Sequence, residues 1–564
     1  MKTYGLILII LLTFIHVNGQ TWQWGARFGG LSTGPNNDNP DESIRDIITD
    51  NEGNVYFCGT VRQPSNANGN ILTTYGAYDI IVGKIDCHGN LAWVKTAGGF
   101  FEDFANSIYQ DDVGNLYVTG QIEATINNPC NLFGTIVTDN TTDLFLSKLD
   151  TAGNVLWNKV ASLGFPSLLT YGYHLKKGLN NNIDMLFRVA LDGELFPGDS
   201  VTRGWWLATM DTSGTILSKF LFAYDINPFP VFDFDTGPNG DHYFIGTFGQ
   251  GWDSASVGGQ MIYRTNPAGG NDFVFFKFDN ANNLQWLNQI GDTTFRFIEG
   301  SRIMVTSNDE VYIGGSIFNG VIFGNDTMFN TIGGANNNFP FLAKYNNQGV
   351  SQWGIGMSTT FSCEMSGGII ELPNGNIGFS GYFTVTGQID SFNVSGSGKE
   401  IFIGEITPNR DLLSVVTFPS GPQDYPQELV CDTSGNLYLS GAFSGSFTIN
   451  GITNTSGGGM TDGFVAKYGY ICTTSLEEII SGNDFISLYP NPSIDIVYFK
   501  LKNESRSTLL SVYNSLGSKV YEATIPANDS DYYSIDISKL SSGVYFLQLK
   551  TSSGISSGKF VKTD

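Results

Sequence analysis

The chain has 564 residues, with 53 Asp+Glu against 29 Lys+Arg and a formal net charge of −24. It carries no basic stripe to neutralise phosphates, which argues against nucleic acid or an anionic membrane surface as a partner. Charged residues make up 15%, aromatic residues 13%, and glycine 69 positions, a balance that suits many short strands joined by glycine and asparagine turns.

Residues 1–19, MKTYGLILIILLTFIHVNG, put one lysine before an apolar run and end on the small residues Val17 and Gly19. This is the pattern of a secretory signal peptide cleaved near Gly19. The run is too short to span a bilayer stably, and no later segment is apolar enough to cross one, so an exported protein without a transmembrane segment is expected. Export permits disulfides. The six cysteines, Cys58, Cys87, Cys130, Cys363, Cys431 and Cys472, include no C-x-x-C pair, which argues against a zinc ribbon.

Residues 21–30, TWQWGARFGG, read as a strand with no neighbour in sequence to pair with. From there to residue 470 the chain is internally repetitive. GNVYFCG at 53–59 returns as GNLYVTG, IDMLFRV, GDHYFIG, DEVYIGG, GNIGFSG and GNLYLSG, with Asn54, Asn115, Asp184, Asp241, Glu310, Asn376 and Asn436 equivalent. Each copy carries a second apolar run, such as DIIVGKID at 79–86, and six carry a third, such as GNLAW at 89–93. A fourth precedes the G-N turn, as in SIRDIITD at 43–50. Four strands per unit repeated seven times fit the blades of a β-propeller. The seventh unit ends after DGFVAKYG without its tryptophan strand, and TWQW at 21–24 supplies it. The expected fold of residues 20–470 is therefore an all-β, seven-bladed β-propeller closed by the N-terminal strand. The repeat places Cys431 and Cys472 near one end of the same unit, the expected bridge. The units also resemble the seven-bladed propeller repeats of bacterial surface proteins, most clearly in repeats 1, 2, 5 and 7. That resemblance implies a fold and no chemistry.

After a linker at 471–485, residues 486–564 alternate apolar and polar positions between glycine and serine turns, as in a small C-terminal β-sandwich. YPNP at Tyr489, Pro490, Asn491 and Pro492, SGVYFLQL around Gly543 and Tyr545, and the terminal GKFVK with Lys559 and Lys562 resemble the type A sorting domain of the type IX secretion system. The resemblance implies export across the outer membrane by that machinery, and processing by its sortase-like peptidase.

Motifs of known chemistry are missing. G-x-S-x-G, H-E-x-x-H and G-x-x-x-x-G-K-[ST] do not occur, so the usual hydrolase, zinc-protease and nucleotide sites are unsupported. Twelve residues before the turn positions stand Glu42, Asp103, Glu364 and Asp424. They belong to repeats 1, 2, 6 and 7, which become neighbours when the ring closes. Such an arc at the channel mouth offers hard oxygen ligands for Ca²⁺ or hydrogen-bond acceptors for a polyhydroxyl ligand; the simpler reading is that each acid accepts hydrogen bonds from loop amides. No cofactor is required by either. Trp24, Trp93, Trp157, Trp286 and Trp353 share one repeat position, which reads as packing between blades. Trp252, in a glycine-rich loop, is a candidate for stacking on a sugar or partner protein.

The expected function is a non-enzymatic secreted or cell-surface protein that binds a glycan or protein through its loop-bearing face, where long segments join the second and third strands. The alternative is a glycan hydrolase or lyase with paired carboxylates at the channel mouth.

Overall fold

The computed structural model describes residues 20–30, 42–138, 141–161, 171–224, 230–248, 254–265, 271–290, 299–318, 320–323, 326–329, 338–359, 364–419, 421, 423–457, 461–472, 488–500, 508–514, 519–525, 532–550 and 555–563. The leader, Trp252 and Cys363 lie outside these residues. The regular elements described are strands, apart from one 3-10 turn at Leu179–Asn181, and no described helix is long and apolar enough to cross a membrane. The chain divides into two compact units, Met1–Ile471 and Cys472–Asp564.

Repeat 1 sets the pattern of the first unit. Ser43–Thr49, Val55–Val61, Asp79–Ile85 and Leu91–Ala97 pair in that order as an antiparallel sheet. The second strand is buried along its whole length, which explains its unbroken apolar character. The order recurs in the later repeats, with repeats 5 and 6 joined into one sheet where Ser351–Thr359 pairs with Ile377–Ile389. In the last sheet Tyr425–Cys431, Leu437–Phe443 and Asp462–Gly469 are followed by Thr21–Gly30. Trp22 stands opposite Tyr468, Trp24 opposite Lys467 and Arg27 opposite Phe464. The strand that had no neighbour in sequence pairs with the third strand of the sheet that lacked a fourth.

Each repeated letter has a physical task. In D-x-x-G-N-x-Y, Asp111 Oδ1 accepts the backbone N–H of Val113 and Asn115, while Oδ2 accepts from the Asn115 amide and the Tyr117 hydroxyl. Asp50 and Asp432 are bonded in the same way. The aspartate thus ties the turn to the second strand. Opposite the tyrosine, on the third strand, stands a lysine: Lys84 Nζ lies 5.0 Å from the Tyr56 ring and Lys467 5.5 Å from Tyr438, within cation–π range. The tryptophans join one repeat to the next. The indole N–H of Trp24 donates to Cys87 O, that of Trp93 to Thr151 O, that of Trp286 to Asn347 O and that of Trp353 to Pro408 O. A Cβ on Gly89 would lie 2.7 Å from Trp24, and one on Gly153 2.9 Å from Trp93. The glycine of G-N-x-x-W is therefore held by contact with the preceding repeat as well as by its positive φ. Trp24 makes this join from the closing strand to repeat 1.

The innermost strands run Ser43–Thr49, Phe104–Gln110, Tyr171–Lys177, Val231–Thr236, Glu299–Val305, Ile369–Glu371 and Tyr425–Cys431. Each packs against the next, and the last packs against the first. The long segments between second and third strands differ from expectation. They are largely hairpins, and several are spent on neighbouring sheets. Ser65–Ala67 pairs with the closing strand, Ser254–Val257 with the outer strand of repeat 3, and Asn131 bridges to Gly98. Their tips at Asn68-Gly69, Phe133-Gly134 and Asn450-Gly451 have two successive positive φ angles, the type I′ turn that matches strand twist. A backbone used this way covers sheet edges and is not free for recognition.

The bridge expected between Cys431 and Cys472 does not form. Cys431 is a free thiol in an inner strand, with Sγ directed at Glu371 O.

In the second unit Leu488–Tyr489, Ile496–Lys500 and Tyr532–Asp536 form one sheet, and Lys519–Ile525, Thr508–Asn514, Gly543–Lys550 and Ile555–Lys562 another. Val497, Phe499 and Ile535 of the first share a core with Leu510, Val512, Leu547 and Phe560 of the second.

Candidate functional site

Six of the seven inner strands carry a register irregularity at the same place, between Ile44 and Asp46, Ala105 and Ser107, Gly172 and His174, Val231 and Asp233, Gly300 and Arg302, and Pro426 and Glu428. A bulge leaves one residue unpaired and re-aims its neighbours. Here the residue after each bulge points inward: Asp46, Ser107, His174, Asp233, Arg302 and Glu428 line one cavity with residues of the sixth inner strand. In repeat 6 the equivalent position, bonded to Ser380, is Gly368. This inner cavity of about 280 Å³ is lined from all seven inner strands. A second cavity of about 450 Å³ lies at one mouth, lined by the bulged residues Arg45, Asn106, Tyr173 and Gln427 with Phe104, Gln121, Glu123 and Thr142. Asp46, His174, Arg302 and Glu428 line both cavities and form the neck between them.

Hydrogen bonds hold the neck from one repeat to the next. Asp46 Oδ2 accepts from Ser107 Oγ at 2.6 Å and from Ile108 N at 2.8 Å. Ser107 Oγ accepts from Leu175 N at 3.0 Å, and Asp233 Oδ2 from Ile303 N at 3.1 Å. Arg302 donates to Gln427 O at 2.6 Å. A His174 ring nitrogen lies 2.9 Å from Phe232 O, and the other 4.0 Å from Asp233.

The neck's electrostatics follow from enclosure. Burial pushes the Glu428 carboxyl up to about 7, Asp46 adding to the rise and Arg302 opposing it. Burial also raises Asp46, against the hydrogen bonds from Ser107 and Ile108, and raises Asp235. It lowers His174, against the pull of Asp233. Burial alone would lower Lys176, yet Asp233, Asp235, Glu428 and Asp46 outweigh it and hold the ammonium above the usual lysine range. Four carboxylates thus enclose two fixed cations, Lys176 and Arg302, in a space that offers donors and acceptors side by side.

The arc of acids expected at the mouth stands elsewhere. Glu42, Asp103, Glu364 and Asp424 line neither cavity, and their oxygens or backbones are engaged by the chain itself. Glu42 accepts from Gly30 N and Arg62 N at 2.7 Å each, and Asp103 from Gly99 N at 2.7 Å and Glu123 N at 2.8 Å. Asp424 accepts from Ser444 N at 3.3 Å. Glu364 forms a backbone bridge with Tyr382. Glu42 meets Asp462, which is paired with Arg27; Asp103 meets Asp79. Glu400 and Asp424 follow a parallel bridge, Lys399 to Gln423, equivalent to the one between Tyr78 and Glu102. The neck itself escapes a search for repeated letters, since its residue type changes in every repeat. Its signal was the fixed position four residues after Glu42, Asp103 and Asp424.

In the second unit the sorting residues come together. The Asn491 amide donates to Lys559 O, and its oxygen accepts from Val561 N, at 2.9 Å each. Ser493 bridges to Lys562. YPNP is thereby fastened to the terminal strand carrying GKFVK, with Pro490 and Pro492 on either side of Asn491. Tyr545 stacks on Phe560 at 5.6 Å, and Gly543 pairs with Lys562. Tyr489 remains half-exposed beside Tyr498.

No curated protein matches the chain. Among solved structures it is similar to a protein of unknown function from Bacteroides caccae at 10% identity, covering 60% of this chain and 94% of that one, with a TM-score of 0.29. A protein of unknown function from Dyadobacter fermentans has 11% identity, 65% and 95% coverage and a TM-score of 0.36. A puromycin hydrolase S511A mutant has 9% identity, 82% and 59% coverage and a TM-score of 0.38. Likenesses this distant carry no functional argument. Residues 487–563 match the secretion system C-terminal sorting domain family. The protein therefore engages the type IX secretion machinery through this tail and is secreted to the cell surface or beyond it by that route.

Proposed function

We propose that residues 20–470 form a seven-bladed β-propeller closed by the N-terminal strand, followed by a sorting β-sandwich, and that the propeller is a non-enzymatic glycan-binding module displayed outside the cell. The cycle of inner-strand contacts and the pairing of Trp22 and Trp24 beside Phe464 support the ring. One observation carries the binding reading: the mouth cavity of about 450 Å³ combines guanidinium, amide, hydroxyl and carboxylate groups with the rings of Phe104 and Tyr173. That size falls within the range of small-ligand sites, and the mixture suits hydroxyl groups and the apolar face of a sugar ring. The test is a glycan array with the exported chain, followed by titration calorimetry on any hit. Arg45→Ala and Asn106→Ala, each facing the cavity, are expected to weaken binding at least about tenfold, the loss of one hydrogen bond to a charged or polar group. Absence of any hit on a broad array contradicts the reading.

A second reading is favoured by Asp46 and Glu428 at the neck, because acid–base hydrolysis needs one protonated and one ionised carboxyl: burial holds Glu428 up to about 7, while the hydrogen bonds of Ser107 and Ile108 favour the ionised form of Asp46. Release of reducing sugar that Glu428→Gln abolishes would establish it in place of simple binding.

A further inference from the structure

One side of the mouth cavity is a single patch on the sheet of repeat 2. Phe104 stands opposite Gln121, and Thr142 opposite Glu123. Residues two apart on a strand share a face, so Phe104 on the first strand, Gln121 and Glu123 on the second and Thr142 on the third lie together, and all four line the cavity. Continued by two residues, the same register sets Glu102, also in the cavity wall, beside Glu123. The bond from Glu123 N to Asp103 Oδ1 at 2.8 Å holds the two strands together there.

Two features of the patch point to a ligand. Gln121 is 7% exposed and Thr142 6%, yet neither side chain hydrogen-bonds to another described residue. Buried amides and hydroxyls are ordinarily satisfied, and these two open onto the cavity. Glu102 and Glu123, in turn, place like charges side by side, and no described guanidinium or ammonium is paired with either. The two arginines of the wall are turned to other groups: Arg45 donates to Asn106 Oδ1 and covers the Phe104 ring, and Arg302 donates to Gln427 O. Burial and Glu102 together hold the Glu123 carboxyl above its usual range, a rise that a positive group beside it would reverse.

We propose that the mouth cavity selects glycans bearing a free, protonated amine, with the ammonium of an amino sugar between Glu102 and Glu123 while Gln121 and Thr142 bond its hydroxyl groups. This deepens the glycan-binding reading above and rests on it. An ammonium brings three donors to carboxylates that only accept, and such charge-assisted bonds are the strong ones. N-acetylation removes the charge, and a uronate would set a third carboxylate against these two. Around the whole wall Asp46, Glu102, Glu123 and Glu428 stand against Arg45 and Arg302, so the surrounding field favours a cation as well.

The test is titration calorimetry on the full exported chain with short oligosaccharides of glucosamine, N-acetylglucosamine, glucose and glucuronate, below the pH at which the sugar amine loses its proton. The glucosamine oligomer is expected to bind at least about tenfold tighter than the N-acetylated or the glucose oligomer, the scale of one hydrogen bond to a charged group. That advantage shrinks as salt is added, and glucuronate binds weakest. Glu123→Gln and, at an exposed position, Glu102→Gln are each expected to cut the preference and to leave affinity for the glucose oligomer within about twofold. Gln121→Ala is expected to weaken amino and neutral sugars alike. Equal affinity for the glucosamine and glucose oligomers, or a preference unchanged in both glutamate variants, overturns the amine assignment and leaves glycan binding standing. Binding that needs Ca²⁺ and is lost on chelation overturns it in favour of a cation-bridged sugar. If none of the four oligomers binds, the proposal falls, and the glycan reading falls with it only where the array is blank too.

Discussion

The outer parts of the repeats and the ring of inner-strand positions obey opposite rules. On the outside the same letters recur because the same task recurs: Asp111 and Asp432 fasten turns, Lys84 and Lys467 cover tyrosines, and Trp24 and Trp93 join one repeat to the next. At the neck the backbone device recurs, a bulge in six strands, but the residue it presents is Asp, Ser, His, Asp, Arg or Glu. Repetition marks the scaffold, and variation at a repeated position marks the place where alike units become asymmetric, which is where the proposed binding site lies.

Substitutions sharpen that contrast. The largest effect is expected for Trp24→Ala, which empties a buried indole site in the closing strand and deletes its bond to Cys87 O. A loss of about 3–5 kcal/mol in chemical denaturation is expected, with binding lost only as folding is lost. Asp111→Ala leaves the amides of Val113 and Asn115 and the Asn115 side chain without this acceptor, while the Tyr117 hydroxyl keeps Thr212 O, and is expected to cost about 1–3 kcal/mol. Glu428→Gln is expected to do the reverse. Stability at pH 6 changes little, while the wild type's loss of stability as pH rises through about 7 is reduced and ligand affinity falls. Equal stability losses from Asp111→Ala and Glu428→Gln at pH 6 would break the distinction between scaffold and site.

Much of the scaffold was legible because periodic letters report periodic structure. The orphan TWQW and the unfinished seventh unit were complementary gaps, and Trp24 lies opposite Lys467. The site was less legible. Glu42 and Asp103 stood out as acids at equivalent loop positions, yet they are buried clamps whose oxygens take backbone amides. Asp46 and Glu428, four residues further on, differ from their counterparts Ser107 and Arg302, and alternation along a strand does not reveal that a bulge has turned them inward. Cys431 and Cys472 look close in sequence order, but the Cys431 thiol faces Glu371 O across to the neighbouring inner strand.

In the proposed ring, the neck and both cavities depend on the N-terminal strand completing the last sheet. The most direct measurement is cysteine trapping of Ala26→Cys with Val465→Cys, residues placed opposite each other in that sheet. An intramolecular disulfide in the native exported protein, converting residues 26–465 into a covalent loop visible as faster migration without reductant, is the predicted result. Failure to form that bond under oxidation, or formation only between separate chains, would contradict the closed ring.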